Sequence, residues 1–235
     1  MSLQLLRLNR EIMSEAFWQT VFQNGIWLLK EIEQYHLSCY GATERRRADA
    51  HFNTGSIGFS TTVSLALATA YFKPSITIEV GTFIGRSTSA IAHACYLSNV
   101  HDCQIHSCDH SNGIDLDLSQ FCDLTLYKKT SSTVMFRHLL AAEKKADMAV
   151  IDGRLEQQDA TLLKSLMAEK SIIFLDDFEG VEKGVANADL LLNHNSNTYT
   201  LIYPPTVSLL SKFSVSGLSP LAALLPISMI QLVRQ

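Results

Sequence analysis

Two stretches of this chain carry residue types that could do chemistry at close spacing. The first is Glu79-Val80-Gly81-Thr82-Phe83-Ile84-Gly85-Arg86-Ser87-Thr88, an acid two residues ahead of G-x-x-x-G. The second is a trio of carboxylates: Asp152, which ends Ala149-Val150-Ile151-Asp152-Gly153, and Asp176 and Asp177, which end Ile172-Ile173-Phe174-Leu175-Asp176-Asp177. Each follows a short apolar, β-rich run. Unpaired carboxylates brought together repel and raise one another's pKa. A hard divalent cation resolves that conflict, and carboxylates with water suit octahedral Mg²⁺. Consecutive strand residues point to opposite faces, so Asp176 and Asp177 can share an ion only if the chain leaves strand geometry between them. Lys183 or Arg154 could instead fill the gap with a salt bridge, and Asp176 could merely cap the following helix.

The glycine loop is read against three nucleotide sites. A dinucleotide fingerprint needs a middle glycine where this chain has Phe83, so a pyrophosphate fits poorly. A P-loop needs four residues between its glycines and then lysine; here there are three, followed by Arg86. The remaining pattern suits a ligand with a cationic centre, an amino acid end and one ribose. Gly81 permits the turn out of the strand, and Gly85 lets the next helix pack with its N-terminus facing the ligand.

The elements that must position these residues alternate. Strands are expected at Ile76–Val80, Gln104–Cys108, Leu124–Tyr127, Met148–Ile151 and Ser171–Leu175. Helices are expected from Ser60 to Phe72, Ser87 to Leu97, Thr133 to Lys144, Leu155 to Ala168 and Val181 to Leu192. Such alternation implies βαβ units and a parallel sheet. Two late strands, Thr198–Tyr203 and Ile227–Val233, have no clear helix between them and suggest an antiparallel pairing at the edge. Ligands of such sheets bind at the carboxyl ends of the strands, where Asp109 closes the second strand and Thr130-Ser131-Ser132 follows the third. Asp109 suits a ribose acceptor or a turn before His110-Ser111-Asn112-Gly113. The hydroxyls after the third strand either border a base or start the next helix.

The ordered landmarks resemble the class I S-adenosylmethionine (SAM)-dependent methyltransferases, and the acids sharpen this toward the metal-dependent O-methyltransferases. Those include the catechol and caffeoyl-coenzyme A types and the macrocin O-methyltransferase-like group. The similarity runs from about Phe52 to Gly184. It implies an α/β, Rossmann-like fold with a seven-stranded, mostly parallel sheet, an antiparallel last strand and helices on both faces. It also implies that Thr54, Gly55, Ser56, Glu79, Gly81, Thr82, Gly85, Ser87, Asp109, Ser131 and Asp152 contact SAM, with Ser131 where the adenine is held. Asp152, Asp176 and Asp177 would bind Mg²⁺ or another divalent cation, and Asp152 and Asp177 would be catalytic. The metal would hold the hydroxyl of a small-molecule acceptor and lower its pKa. One departure stands out. The lysine or histidine that these families place three residues after the first Asp is Leu155 here. Glu156, His110 and His51 remain as candidate bases. Metal-independent O- or N-methyl transfer, or SAM binding without catalysis, are the alternatives.

The bulk properties agree with a small-molecule enzyme. A chain of 235 residues, 47% hydrophobic, can bury one large core. A net charge of −4 argues against nucleic acid, and Arg45-Arg46-Arg47 reads as a solvated face. Cys39, Cys95, Cys103, Cys108 and Cys122 form no C-x-x-C and suit a reducing compartment. His101, Cys103, His106, Cys108 and His110 are split by strand alternation and do not make a zinc site. Arg7, Arg10 and Glu11 interrupt any signal-peptide core, and Pro220 and Pro226 break the apolar C-terminal stretch. A cytoplasmic protein without a membrane partner is expected. Residues 1–50 read as a helical segment, a cap or a homodimer surface, in which Phe17, Val21, Trp27, Leu28 and Ile32 recur at helical spacing. Residues 51–235 read as the SAM-binding domain.

Overall fold

The computed structural model describes residues 3–35, 56–110, 115–195 and 198–233. Thr54, Gly55, His51, Cys39, the Arg45–Arg47 run and residues 111–114 lie outside them.

Helix α1 spans Leu3–Gly25, followed by a 3₁₀ turn at Ile26–Leu28 and helix α2 over 29–35. Helix α3 (Phe59–Phe72) then leads into strand β1 (Ile76–Val80), and α4 (Arg86–Leu97) connects it to β2 (Gln104–Asp109). Strand β3 is Asp123–Lys128, α5 is Ser132–Ala141, β4 is Ala146–Ile151, α6 is Gln157–Leu166 and β5 is Met167–Leu175. The chain ends with α7 (Lys183–Asn195), β6 (Tyr199–Ile202), α8 (Val207–Lys212), β7 (Ala222–Pro226) and a 3₁₀ segment at Ile227–Val233.

The seven strands form one sheet in the order β3-β2-β1-β4-β5-β7-β6. All neighbours from β3 through β5 are parallel, and β7 runs antiparallel to both β5 and β6. Alternate strand residues feed two core layers. Met148, Val150, Ile172 and Phe174 pack with α1, α3 and α4, while Ala149, Ile151, Ile173 and Leu175 pack with α5, α6 and α7. Strands covered on both faces lose polar alternation, which is why Met148–Ile151 in β4 and Ile172–Leu175 in β5 read as continuous apolar runs.

Helix α1 belongs to this same core. Phe17, Trp18, Val21 and Phe22 are buried, and the Trp18 indole N–H donates to the Tyr203 carbonyl at 2.8 Å. The Tyr203 N–H in turn donates to Ser14 Oγ at 2.9 Å. Trp27, by contrast, is exposed, and its indole only reaches back to the Asn24 carbonyl. The change from α to 3₁₀ pitch at Ile26 takes it off the buried face.

The end of the chain differs from expectation. The last strand is Ala222–Pro226, and Ile227–Val233 is 3₁₀ rather than β. Ala222-Ala223-Leu224-Leu225 is poor in β-branched residues, so local propensity points to the following Ile227 instead. Burial between β5 and β6 overrides that preference. A helix also intervenes: Thr206 Oγ1 accepts from the Leu209 N–H and starts α8. Cys95, Cys103, Cys108 and Cys122 are buried free thiols, with Cys103 and Cys108 in different core layers. Among the described residues no helix is long and apolar enough to cross a membrane.

Candidate functional site

The strand order reverses at β1, which pairs with β2 on one side and β4 on the other. Such a switch point leaves a crevice beyond the strand ends. The glycine loop closes one side of it. Gly81 has φ 106°, and a Cβ there would come within 3.1 Å of the Asp152 carbonyl carbon and the Gly153 nitrogen. The Gly81 and Thr82 N–H groups both donate to the Cys108 carbonyl. One tight turn thus ties the ends of β1, β2 and β4 together.

Phe83, at the position a dinucleotide loop gives to glycine, takes φ 44°. That is an uncommon conformation for a bulky side chain. Its N–H donates to Asp109 Oδ2 at 2.6 Å, and its ring lies buried at the edge of the cleft. Gly85 (φ 78°) is the N-cap of α4.

Beneath the loop sits Glu79, fully buried. Its Oε2 accepts from Thr88 Oγ1 and Ser107 Oγ, each at 2.5 Å, and Thr82 Oγ1 lies 2.6 Å from Ser107 Oγ. Burial raises the Glu79 pKa against hydrogen bonds from Ser107, Ser87 and Thr88. Glu79, Thr82 and Ser87, expected to touch a cofactor, are therefore enclosed under the loop and brace it. The Ser131 hydroxyl caps α5 by accepting from the Val134 N–H. Its neighbours Thr130 and Ser132 border the cleft instead. Among the described residues Ser56 Oγ is buried without a hydrogen-bond partner, beside Ile57, whose carbonyl receives the Arg86 guanidinium at the start of α4.

The cleft reaches from Gly81 and Asp109 to Asp152 and Lys183. Here the chain does leave strand geometry between the two acids: Asp177 has φ 52°. Asp152 and Asp177 converge, but on a lysine. Lys183 Nζ lies 2.6 Å from Asp152 Oδ1 and 3.0 Å from Asp177 Oδ2. Asp176 is buried, with Oδ1 lacking any hydrogen-bond partner. Burial and the Asp177 charge push its pKa up to about 6. Burial, then Asp176, press Asp152 the same way, opposed by Lys183. Burial pulls the Lys183 pKa down, but the two carboxylates outweigh it and the net change is upward.

The residues present do not fit the divalent ion expected of Asp152, Asp176 and Asp177. The Lys183 ammonium takes the position between the carboxylates that such an ion would need. Among the described residues no group of three or more His, Cys, Asp and Glu is placed to hold a metal. The lysine is held there by its helix. A Cβ on Gly184 would meet the Asp176 carbonyl oxygen at 2.2 Å, so the first turn of α7 is pressed onto the 176–177 backbone. One turn on, Asn187 clamps the loop after β4, accepting from the Leu155 N–H at 3.0 Å and donating to the Gly153 carbonyl at 2.8 Å.

Lys183 was identifiable in sequence as a residue able to fill the gap, but Gly184 and Asn187 were not assigned roles. A lysine, glycine and asparagine at i, i+1 and i+4 of a helix after an Asp-Asp strand end is the signal that would have found them. Asp159 was also missed. It is fully buried and receives Ser132 Oγ at 2.7 Å, Thr133 Oγ1 at 2.6 Å and the Glu156 N–H at 3.0 Å. Its place three residues after Glu156 is a helix-start pattern. Of the remaining base candidates, His110 borders the cleft, while Glu156 is exposed as the N-cap of α6.

No protein-family model matches the chain, and no curated protein sequence is significantly similar to it. Solved structures do resemble it. The O-methyltransferase TomG from Streptomyces achromogenes, involved in tomaymycin synthesis and solved with SAM, superposes with a TM-score of 0.55. It is 13% identical, over 79% of this chain and 88% of that one. An O-methyltransferase from Bacillus cereus, in complex with S-adenosylhomocysteine (SAH), gives 0.56 at 12% identity, over 80% and 90%. At these identities the likeness concerns architecture, and the seven-stranded sheet with its antiparallel β7 has the Rossmann-like class I methyltransferase fold.

Proposed function

We propose that this chain binds SAM in the cleft at the β1/β4 switch point and transfers its methyl group to an oxygen of a small molecule. The observation that carries the reading is the cleft itself. It brings the Gly81 turn, Asp109 and the Asp152–Lys183 pair into one cavity, in the order in which a ribose and a cationic centre would need them. Both of the similar structures named above were solved with SAM or SAH.

Bound there, SAM supplies a methyl group on a sulfonium, which an oxygen need only approach in line, so positioning provides much of the rate. Asp109, held by the Phe83 N–H, accepts from the ribose. Ser56, with Thr54 and Gly55, takes the amino acid end, using the buried hydroxyl that lacks a protein partner. The adenine lies toward Thr130 and Ser132. Asp152 and Asp177 act by holding Lys183 at the acceptor end. The reading needs no divalent ion, because Lys183 already bridges Asp152 and Asp177. Residues 51–235 form the SAM-binding unit, and residues 1–50 cover it or form a homodimer surface.

The test is methyl transfer from labelled SAM to pooled hydroxylated metabolites, with EDTA and with Mg²⁺. Product formed equally in both supports the reading. Product only with Mg²⁺ moves the protein to the metal-dependent class, and none in either leaves it a SAM-binding protein.

A further inference from the structure

We propose that Asp159 is a positioning residue for the base end of the cleft. By drawing the Ser132 hydroxyl proton into the core, it leaves Ser132 able only to accept, so that the site selects a purine with a 6-amino donor over one with a 6-oxo acceptor. This deepens the SAM reading of the cleft, on which it rests.

Three observations carry it. Asp159 joins two helix starts. Its Oδ2 accepts from the Glu156 N–H at 3.0 Å and from Ser132 Oγ at 2.7 Å, and its Oδ1 accepts from Thr133 Oγ1 at 2.6 Å. The bond from Glu156 completes the capping box of α6; the two hydroxyls come from α5 and are no part of that cap. Next, the bond to Ser132 runs from the cleft into the core: Asp159 is fully buried, while Ser132 lines the cleft. A serine hydroxyl has one proton and two lone pairs. With the proton committed to an enclosed carboxylate, only lone pairs are left for a ligand. Finally, Thr130 borders the same end of the cleft and spends its proton in the same way, donating from Oγ1 to the Lys128 carbonyl at 2.9 Å. Both hydroxyls therefore offer acceptors. The 6-amino group of adenine is a donor and pairs with that edge, whereas a 6-oxo group is an acceptor and would set oxygen against oxygen.

The test is calorimetric titration of the full chain with SAH and with its deaminated, inosine-containing analogue, read as the ratio of the two affinities. The wild type should bind SAH at least about tenfold more tightly, and Asp159→Ala and Ser132→Ala should bring the two ligands within about threefold of each other, because a mismatched polar pair is what separates them. Asp159→Ala frees the Ser132 proton to turn toward the ligand, and Ser132→Ala removes the acceptor itself. Thr133→Ala is the control. It takes one bond from Asp159 without touching the Ser132 bond, and it should keep the wild-type ratio, which a purely structural role for Asp159 would not require. If Asp159→Ala does not fold, Ser132→Ala decides the matter. A wild type that binds both ligands alike overturns the proposal and leaves the SAM reading standing. A folded Asp159→Ala or Ser132→Ala that keeps the full preference for SAH overturns it too. A wild type that binds neither ligand overturns the SAM reading and this role of Asp159 with it.

Discussion

The two halves of the cleft are built by different means. On the β1–β2 side the geometry lies within one β1–α4–β2 unit and is mostly backbone. Gly81 and Phe83 take left-handed φ values, amide N–H groups find the Cys108 carbonyl and Asp109, and Glu79 anchors the turn through hydroxyls within a few residues of the strand ends. On the β4–β5 side the geometry is assembled across the chain. Asp152 and Asp177 acquire their partner from α7, and Asn187 and Gly184 of that helix hold the loops in register. The first half is specified by a ten-residue motif together with the Ser107–Asp109 end of β2. The second depends on how closely one helix packs, and there a single side chain, Lys183, bridges the two acids.

Glycine substitutions test that contrast most strongly. Gly184→Ala would drive a Cβ to 2.2 Å from the Asp176 carbonyl oxygen, a backbone atom that cannot step aside. A loss of about 3 kcal/mol or more is expected from such overpacking, read as a lowered denaturation midpoint. Gly85→Ala, on the loop side, meets the flexible Leu116 side chain, nearest at Cδ2 (2.7 Å), and should cost about 1–2 kcal/mol, mainly for its left-handed φ. Equal losses at both positions would break the distinction.

Asp109→Ala sharpens the loop side. Removing the carboxylate proposed to hold the ribose should weaken SAH binding by roughly 1.5–3 kcal/mol, the range for a charge-assisted hydrogen bond. Calorimetry on the folded variant checks it, and unchanged affinity removes the ribose role.

Asp176 sharpens the other side through pH. Its folded pKa is raised from 3.8 to about 6, so the native state holds the proton more tightly than the unfolded chain. The stability this contributes is fully present below about pH 4 and is lost as the pH rises through 6. Asp176→Asn mimics the protonated form. The variant should match the wild type near pH 4 and exceed it by about 3 kcal/mol at pH 8. A variant no more stable at pH 8 would mean that the buried carboxylate is satisfied in solution.

What could be read from the sequence follows the same division. Strand β1 is found at its expected bounds, Ile76–Val80, and the helices and strands through α7 lie close to theirs, because periodicity and turn residues encode them locally. The Gly81 turn, Asp109 and the break between Asp176 and Asp177 were legible for the same reason. The left-handed Phe83 was not, since nothing in its residue type predicts that conformation. Glu79, Thr82 and Ser87 sit in a motif that suggests ligand contact, but the depth of burial that encloses them is a tertiary property. Ala222–Pro226 became a strand because neighbours on both sides cover it. Lys183 could be named from sequence as a competitor for the acids, yet only the packing of Gly184 and Asn187 decides the competition in its favour.

The central claim is that this cleft is a SAM site, and calorimetric titration of SAH into the wild-type chain, beside NAD, tests it most directly. The account predicts one saturable SAH site per chain that is weakened in Asp109→Ala, and no NAD binding. Binding of NAD without SAH, or SAH binding indifferent to Asp109, would contradict it.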